Sequence, residues 1–146
     1  MQSDSTRGTG AFRCDVLNGG WPAGRVFVVN VGVNASHRLV SPLAEDRSFT
    51  FVTIPEDATL DGAGLVRYGD VPHLRSVVPQ RWWGRSTHYD PEFETLTYGD
   101  NCGWAPRAAA LKACRPGDAL VFIARLLGAA GPEFGLIGLL EVADIV

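Results

Sequence analysis

Lysine is almost missing from this 146-residue chain: of 13 basic residues only Lys112 is lysine, and the formal net charge is -3. A protein that coats duplex DNA needs an excess of Lys and Arg to displace counterions, so that activity is excluded as a general one. Cysteine is sparse as well, with 3 residues, Cys14, Cys102 and Cys114, at wide spacing. An odd, scattered set does not read as a disulfide framework; it points to reduced thiols in a cytoplasmic protein. No apolar run approaches the ~20 residues of a membrane span, so no membrane partner is expected. Residues 1–7 lack a basic segment leading into an apolar one, and no secretory signal is expected. No GxGxxG or GxxxxGK[ST] loop follows an apolar run, and there is no GxSxG elbow. HxH, HExxH and CxxC spacings are also missing, so neither a metal nor a cofactor is expected.

What is present is a globular composition, 46% hydrophobic and 20% charged. The length suits one domain with a substantial core. Charge is unevenly placed. Residues 67–88 hold Arg67, Arg75, Arg81 and Arg85 with His73 and His88, against Asp70 alone. Arginine forks suit phosphate and base edges better than lysine does.

Residues 1–24 are polar and Gly-rich and read as an arm, with a short strand near Cys14. The folded domain is expected over 25–146. Residues 25–31 form a β-branched run of strand length, expected to be buried on both faces. Residues 48–54 and 92–98 read as further strands. One helical turn is expected near His73. The best helix is 106–114, favoured by alanine and opened by Pro106. Arg115-Pro116-Gly117-Asp118 then makes a turn in which Gly117 takes positive φ. Two apolar strands close the chain, at about 119–126 and 134–143. The sum is an α+β chain, mostly β, with one main helix before the last two strands.

Three groups of residues carry chemistry. In the first, Trp104 and Arg107 stand at the start of the helix. An indole there can stack on a base, and the helix start can hold phosphate. The second is Arg81-Trp82-Trp83-Gly84-Arg85. Adjacent aromatics between arginines suit base stacking with phosphate contacts beside it. Each of these tryptophans has an alternative as a core side chain. The third is His88-Tyr89-Asp90-Pro91-Glu92-Phe93 with Tyr98-Gly99-Asp100, taken with Asn34, Ser36-His37 and Ser41-Pro42. His88 and Asp90 share one side of an extended segment. With His37 they form a candidate acid/base set.

The motifs Val31-Gly32-Val33-Asn34, Ser36-His37, Ser41-Pro42, His88 to Phe93 and Tyr98-Gly99-Asp100 together resemble the nucleotide-modification-associated domain 3 family. That resemblance implies a setting in the synthesis, handling or reading of modified nucleobases. The C-terminal half, from Trp104 through the Pro-Gly-Asp turn and the last two strands, resembles PUA-like domains such as EVE, ASCH and YTH. It implies a small PUA-like β-barrel with a base-reading pocket.

The expected function is binding of a nucleobase or nucleotide, modified forms foremost. Trp82, Trp83, Trp104, Asn34 and Asp100 are the candidate base contacts, and Arg81, Arg85 and Arg107 the candidate phosphate contacts. The alternative is an enzyme on a nucleotide or nucleoside, with His88, Asp90 and His37 as its acid/base groups. The expected partner is nucleic acid or a nucleotide; the residues do not specify an oligomeric state.

Overall fold

The computed structural model describes residues 10–15, 23–56, 65–100 and 106–146. Its strands are β1 Gly10–Asp15, β2 Val26–Val31, β3 Ser41–Pro42, β4 Leu65–Arg67, β5 Ser86–His88, β6 Thr97–Asp100, β7 Ala119–Gly128 and β8 Gly131–Ile145. The main sheet runs β2-β7-β8-β1-β6, with β3 parallel to β7, while β4 and β5 form a separate antiparallel pair. The main sheet is open. Its terminal strands, β2 and β6, are not paired with each other among the described residues. Helix is scarce: α1 is Pro72–Val77, and short 3₁₀ helices span Tyr68–Asp70, Gln80–Trp82 and Pro106–Ala113.

The final hairpin is where the sequence placed it. Pro116 and Gly117 turn the chain, and Gly117 has φ +87°. β7 buries alternate residues Leu120, Phe122, Ala124 and Leu126. That period of two is the signature of one packed sheet face.

Other elements differ from expectation, each for a physical reason. The expected α-helix before the hairpin is a 3₁₀ helix. Its buried side chains, with that of the residue just after it, are Ala108, Leu111 and Cys114, spaced by three. A 3.0-residue turn keeps all of them on one line, which a 3.6-residue turn does not. The run 25–31 is not buried on both faces. In β2, Val29 and Val31 are buried while Val26 and Val28 are exposed, Val28 by 65%.

Residues 48–54 form no strand, only an isolated bridge of Phe49 to Leu43. Their polar groups pair instead with groups from elsewhere: the Val52 amide donates to Ser41 Oγ, and the carbonyls of Thr53 and Ile54 accept from Tyr68 and Thr87. Within 92–98, Glu92 bridges to Thr97, and Leu96 turns the chain at φ +54° before β6 begins. The arm supplies β1, which lies between β8 and β6 with Phe12 and Cys14 buried.

The chain divides into two compact units. The first comprises Met1–Val28, Pro91–Val121 and Leu139–Val146. In it, Phe12 lies opposite Tyr98 on the β1–β6 ladder, their rings stacked at 6.0 Å. Asp118, in the turn before β7, is buried. Its carboxylate accepts from the Arg25 amide at 2.8 Å, the Arg25 guanidinium at 2.9 Å and the Arg115 amide at 2.9 Å. Burial works to raise this carboxyl's pKa. The hydrogen bonds from Arg25 and Arg115 outweigh it and hold the group below its ordinary 3.8.

The second unit comprises Val29–Asp90 and Phe122–Gly138. A cluster of Val33, Leu39, Val52, Tyr68, Leu74 and Val78 forms a core there, with Val71, Val77, Trp82 and Tyr89 packed against it. Gly32 is needed at its edge. It has φ +76°, and a Cβ would meet Phe51 at 2.3 Å and the Val52 carbonyl at 2.8 Å.

Candidate functional site

The candidate site is built on the segment from Tyr68 to Asp90 in the second unit. Its floor is a buried polar chain. Tyr68 donates to the Thr53 carbonyl at 2.6 Å, the hydroxyls of Thr53 and Thr87 meet at 2.6 Å, and Thr87 donates to the Ile54 carbonyl at 2.7 Å. Burial pushes the Tyr68 phenol up to about 12, against the lowering effects of Thr87, Arg85 and Thr53. These groups fix the floor rather than offer it to a ligand. No buried side-chain polar atom lacks a hydrogen bond among the described residues.

Above that floor, α1 opens with Pro72 at its N-terminus and buries Leu74. Its one-turn length follows from Pro72 and from Val78, whose extended backbone ends it while its amide caps the Leu74 carbonyl. The next turn carries the two tryptophans. Trp83 Nε1 donates to the Val78 carbonyl at 2.9 Å, and the Arg75 guanidinium lies 4.5 Å from its ring centroid. Trp82 packs on the core, with the Arg85 guanidinium 5.2 Å from its ring. Both indoles are half-buried, whereas Arg67, Arg75, Arg81 and Arg85 are all exposed. Arginine stacked on indole is a cation–π arrangement, with the planar guanidinium held and still charged.

β5 ends at His88. Period-two alternation puts Thr87 inward and His88 outward, and Asp90 follows on the His88 side. His88 Nδ1 and the Asp90 carboxylate are in direct polar contact, with side chains 39% and 18% exposed. The Asp90 amide also donates to the His88 carbonyl at 2.9 Å, which tightens the bend before Pro91. Between them, Tyr89 turns the other way and meets His73 of α1, its hydroxyl 3.1 Å from Nε2.

The sequence-derived candidates have the following partners. His88 and Asp90 come together, as their spacing implied. Asn34 and His37 pair with each other instead. The Asn34 amide donates to His37 Nδ1 at 3.0 Å, while Asn34 Oδ1 accepts from the Ser36 amide and hydroxyl. This is a local turn of the kind Asn and Ser often close. Asp100, in the first unit, accepts from the Tyr98 hydroxyl at 2.8 Å. Arg81 is exposed, and Arg85 donates to the Glu56 carbonyl at 3.2 Å. Trp104 lies outside the described residues, as does the side chain of Arg107. Among the described residues no group of three or more His, Cys, Asp or Glu stands where it could hold a metal ion.

Sequence reasoning missed two contacts, Arg75 on Trp83 and His73 on Tyr89. The partners are 8 and 16 positions apart (83 − 75 and 89 − 73), joined only by the packing of α1 against the following turns. Local motifs carry no signal for such pairs. The clustering of Arg and His over 67–88 is the one trace they leave.

A family model, nucleotide modification associated domain 3, matches residues 25–146. The chain belongs to this family. The match spans the region that carries the His88 to Phe93 and Tyr98 to Asp100 motifs, and it relates this domain to nucleotide modification. No curated protein and no solved structure matches the chain. No helix among the described residues is long and apolar enough to cross a membrane.

Proposed function

We propose that this domain binds a nucleobase or nucleotide, modified forms foremost, at the Tyr68–Asp90 segment. The observation that carries the reading is the pair of cation–π contacts, Arg75 over Trp83 and Arg85 over Trp82. A stacked guanidinium presents N–H edges for phosphate and a flat outer face for a base. The tryptophans serve less as open stacking surfaces than as beds for the arginines. Arg81, exposed between them in sequence, adds phosphate affinity. On sequence grounds Trp104, Asn34 and Asp100 are proposed base contacts and Arg107 a phosphate contact. On sequence grounds the C-terminal half is proposed to be PUA-like, a class of base-reading domains. The proposed setting is the cytoplasm.

Titration of mononucleotides with modified and unmodified bases, followed by tryptophan fluorescence at fixed salt, tests this. A base reader prefers one base form. Arg81→Gln weakens all forms together, because phosphate contacts carry no base information. Equal and unsaturable responses to every nucleotide would defeat the proposal.

The His88–Asp90 pair favours a second reading, an enzyme on a nucleotide or nucleoside. A carboxylate on Nδ1 fixes the imidazole tautomer and strengthens it as a base. Turnover of a nucleotide that vanishes in His88→Ala, with binding retained, would move the domain to that class. His37, held in its own turn with Asn34, is proposed only as an auxiliary group.

A further inference from the structure

We propose that the edge of β8 over residues 131–138 is the interface at which two copies of this chain pair, antiparallel, about a two-fold axis. This goes beyond the nucleotide-binding reading and does not rest on it. β8 has β7 on one side. On its other side β1 pairs only with the stretch from Glu141 to Ile145. Among the described residues no strand lies beside 131–138 on that side, and no backbone hydrogen bond from a turn or loop reaches it. The N–H and C=O groups along such an edge are a template for another strand.

The side chains suit that use. Pro132, Phe134 and Leu136 are exposed, alternating with partly covered Gly131, Glu133 and Gly135. A Cβ on Gly135 would meet Leu126 Cδ1 at 2.7 Å, and Leu126 is buried. Gly135 therefore faces the packed side, and Phe134 and Leu136 face away from it. Those two are 62% and 64% exposed, and Leu127 of β7 is exposed as well. Pro132, which has no N–H to give a ladder, is itself a residue of strand edges.

A second copy fits this edge better than an unlike strand. Selecting an unlike partner takes polar or charged side chains, and Glu133 is the only one within 131–138. Arg47 already holds it at 2.6 Å. The stretch has no lysine to keep like edges apart. Antiparallel self-pairing that sets Phe134 opposite Leu136 makes that contact twice around one two-fold. Glu133 then falls opposite Ile137, so the two Glu133 side chains stand about 14 Å apart along the ladder. Arg125 belongs to β7, outside β8 in each copy. Three strand spacings, about 14 Å, would separate the two β7 strands, beyond the screening length at physiological salt.

Sedimentation equilibrium of the full chain over about 5–200 µM decides the matter, since a small interface gives a reversible dimer in that range. Leu136→Lys places two ammonium groups on one short ladder and should weaken association at least about tenfold. Phe134→Lys should do the same, and it carries the test if Leu136→Lys disturbs folding. Val28→Lys, equally exposed but on β2, should leave association unchanged. Amide exchange along 131–138 should slow as the concentration rises. A chain that stays monomeric throughout would overturn the proposal, as would a dimer that survives both lysine variants of β8. Loss of the dimer in Val28→Lys alone would place the interface on β2 and overturn it too.

Discussion

Two aspartates, one in each unit, show how differently the same side chain is employed. Asp118 is buried and faces a permanent cation and two backbone amides. Asp90 is partly open and faces His88, whose charge depends on pH. A carboxylate ringed by fixed donors has nowhere to send a proton and acts as a clamp. One paired with an imidazole can share its proton with chemistry. Both are negative residues beside a turn, so sequence treats them alike; their donors separate them.

The sharpest break between the two is stability. Asp118→Ala leaves the amides of Arg25 and Arg115 without their acceptor, and we expect a loss of about 2–4 kcal/mol by urea denaturation. A loss too small to measure would erase the contrast. Thr87→Val, which cuts the buried chain from Thr53 to Ile54, should cost about 1–3 kcal/mol. An unchanged urea midpoint would mean that the hydroxyls are not holding the floor.

Acid sharpens the comparison further. Because folding lowers the Asp118 pKa, its contribution is present above the unfolded value near 3.8 and is lost as pH falls through the folded value. Stability of the natural chain should therefore fall below that pH, and Asp118→Asn should flatten the fall. The alkaline limb has the opposite sign. Tyr68 is raised to about 12, so its contribution is complete below pH 10 and fades between there and about 12. Ultraviolet titration should show one tyrosine ionising late, and Tyr68→Phe should remove it.

The smallest expected effect is the most telling. His88→Ala should change stability by no more than about 1 kcal/mol, since the pair keeps partial contact with solvent. Ligand binding or turnover should nonetheless change. A stability loss comparable to that of Asp118→Ala would make Asp90 a second clamp.

Part of the scaffold was legible in the sequence, because β7 is specified by neighbours: a Pro-Gly-Asp turn before it and alternating apolar residues along it. The His88–Asp90 pair was legible for the same reason, through the period of a strand. Residues 48–54 misled because their hydrogen-bond partners, Ser41, Tyr68 and Thr87, come from distant positions. Several motif residues also have architectural partners. Ser41 ties down Val52, Gly32 admits Phe51 at close quarters, and Asn34 and His37 close their own turn. The contact of Arg75 with Trp83 was not legible, since Arg75 reaches Trp83 only through the packing of α1.

The position of β1 separates the limits of kinship from the limits of folding. The family match begins at residue 25, yet Gly10–Asp15 is hydrogen-bonded to β8 on one side and β6 on the other. A chain cut at that border would bare two strand edges, strip Phe12 from Tyr98 and free the Leu96 carbonyl that accepts from Cys14. Bare edges recruit whatever strand is at hand, including those of other molecules. The shortened chain would behave as a receptor with an empty slot, and a synthetic peptide of residues 10–15 with short flanks would be its natural insert, by the logic of strand donation.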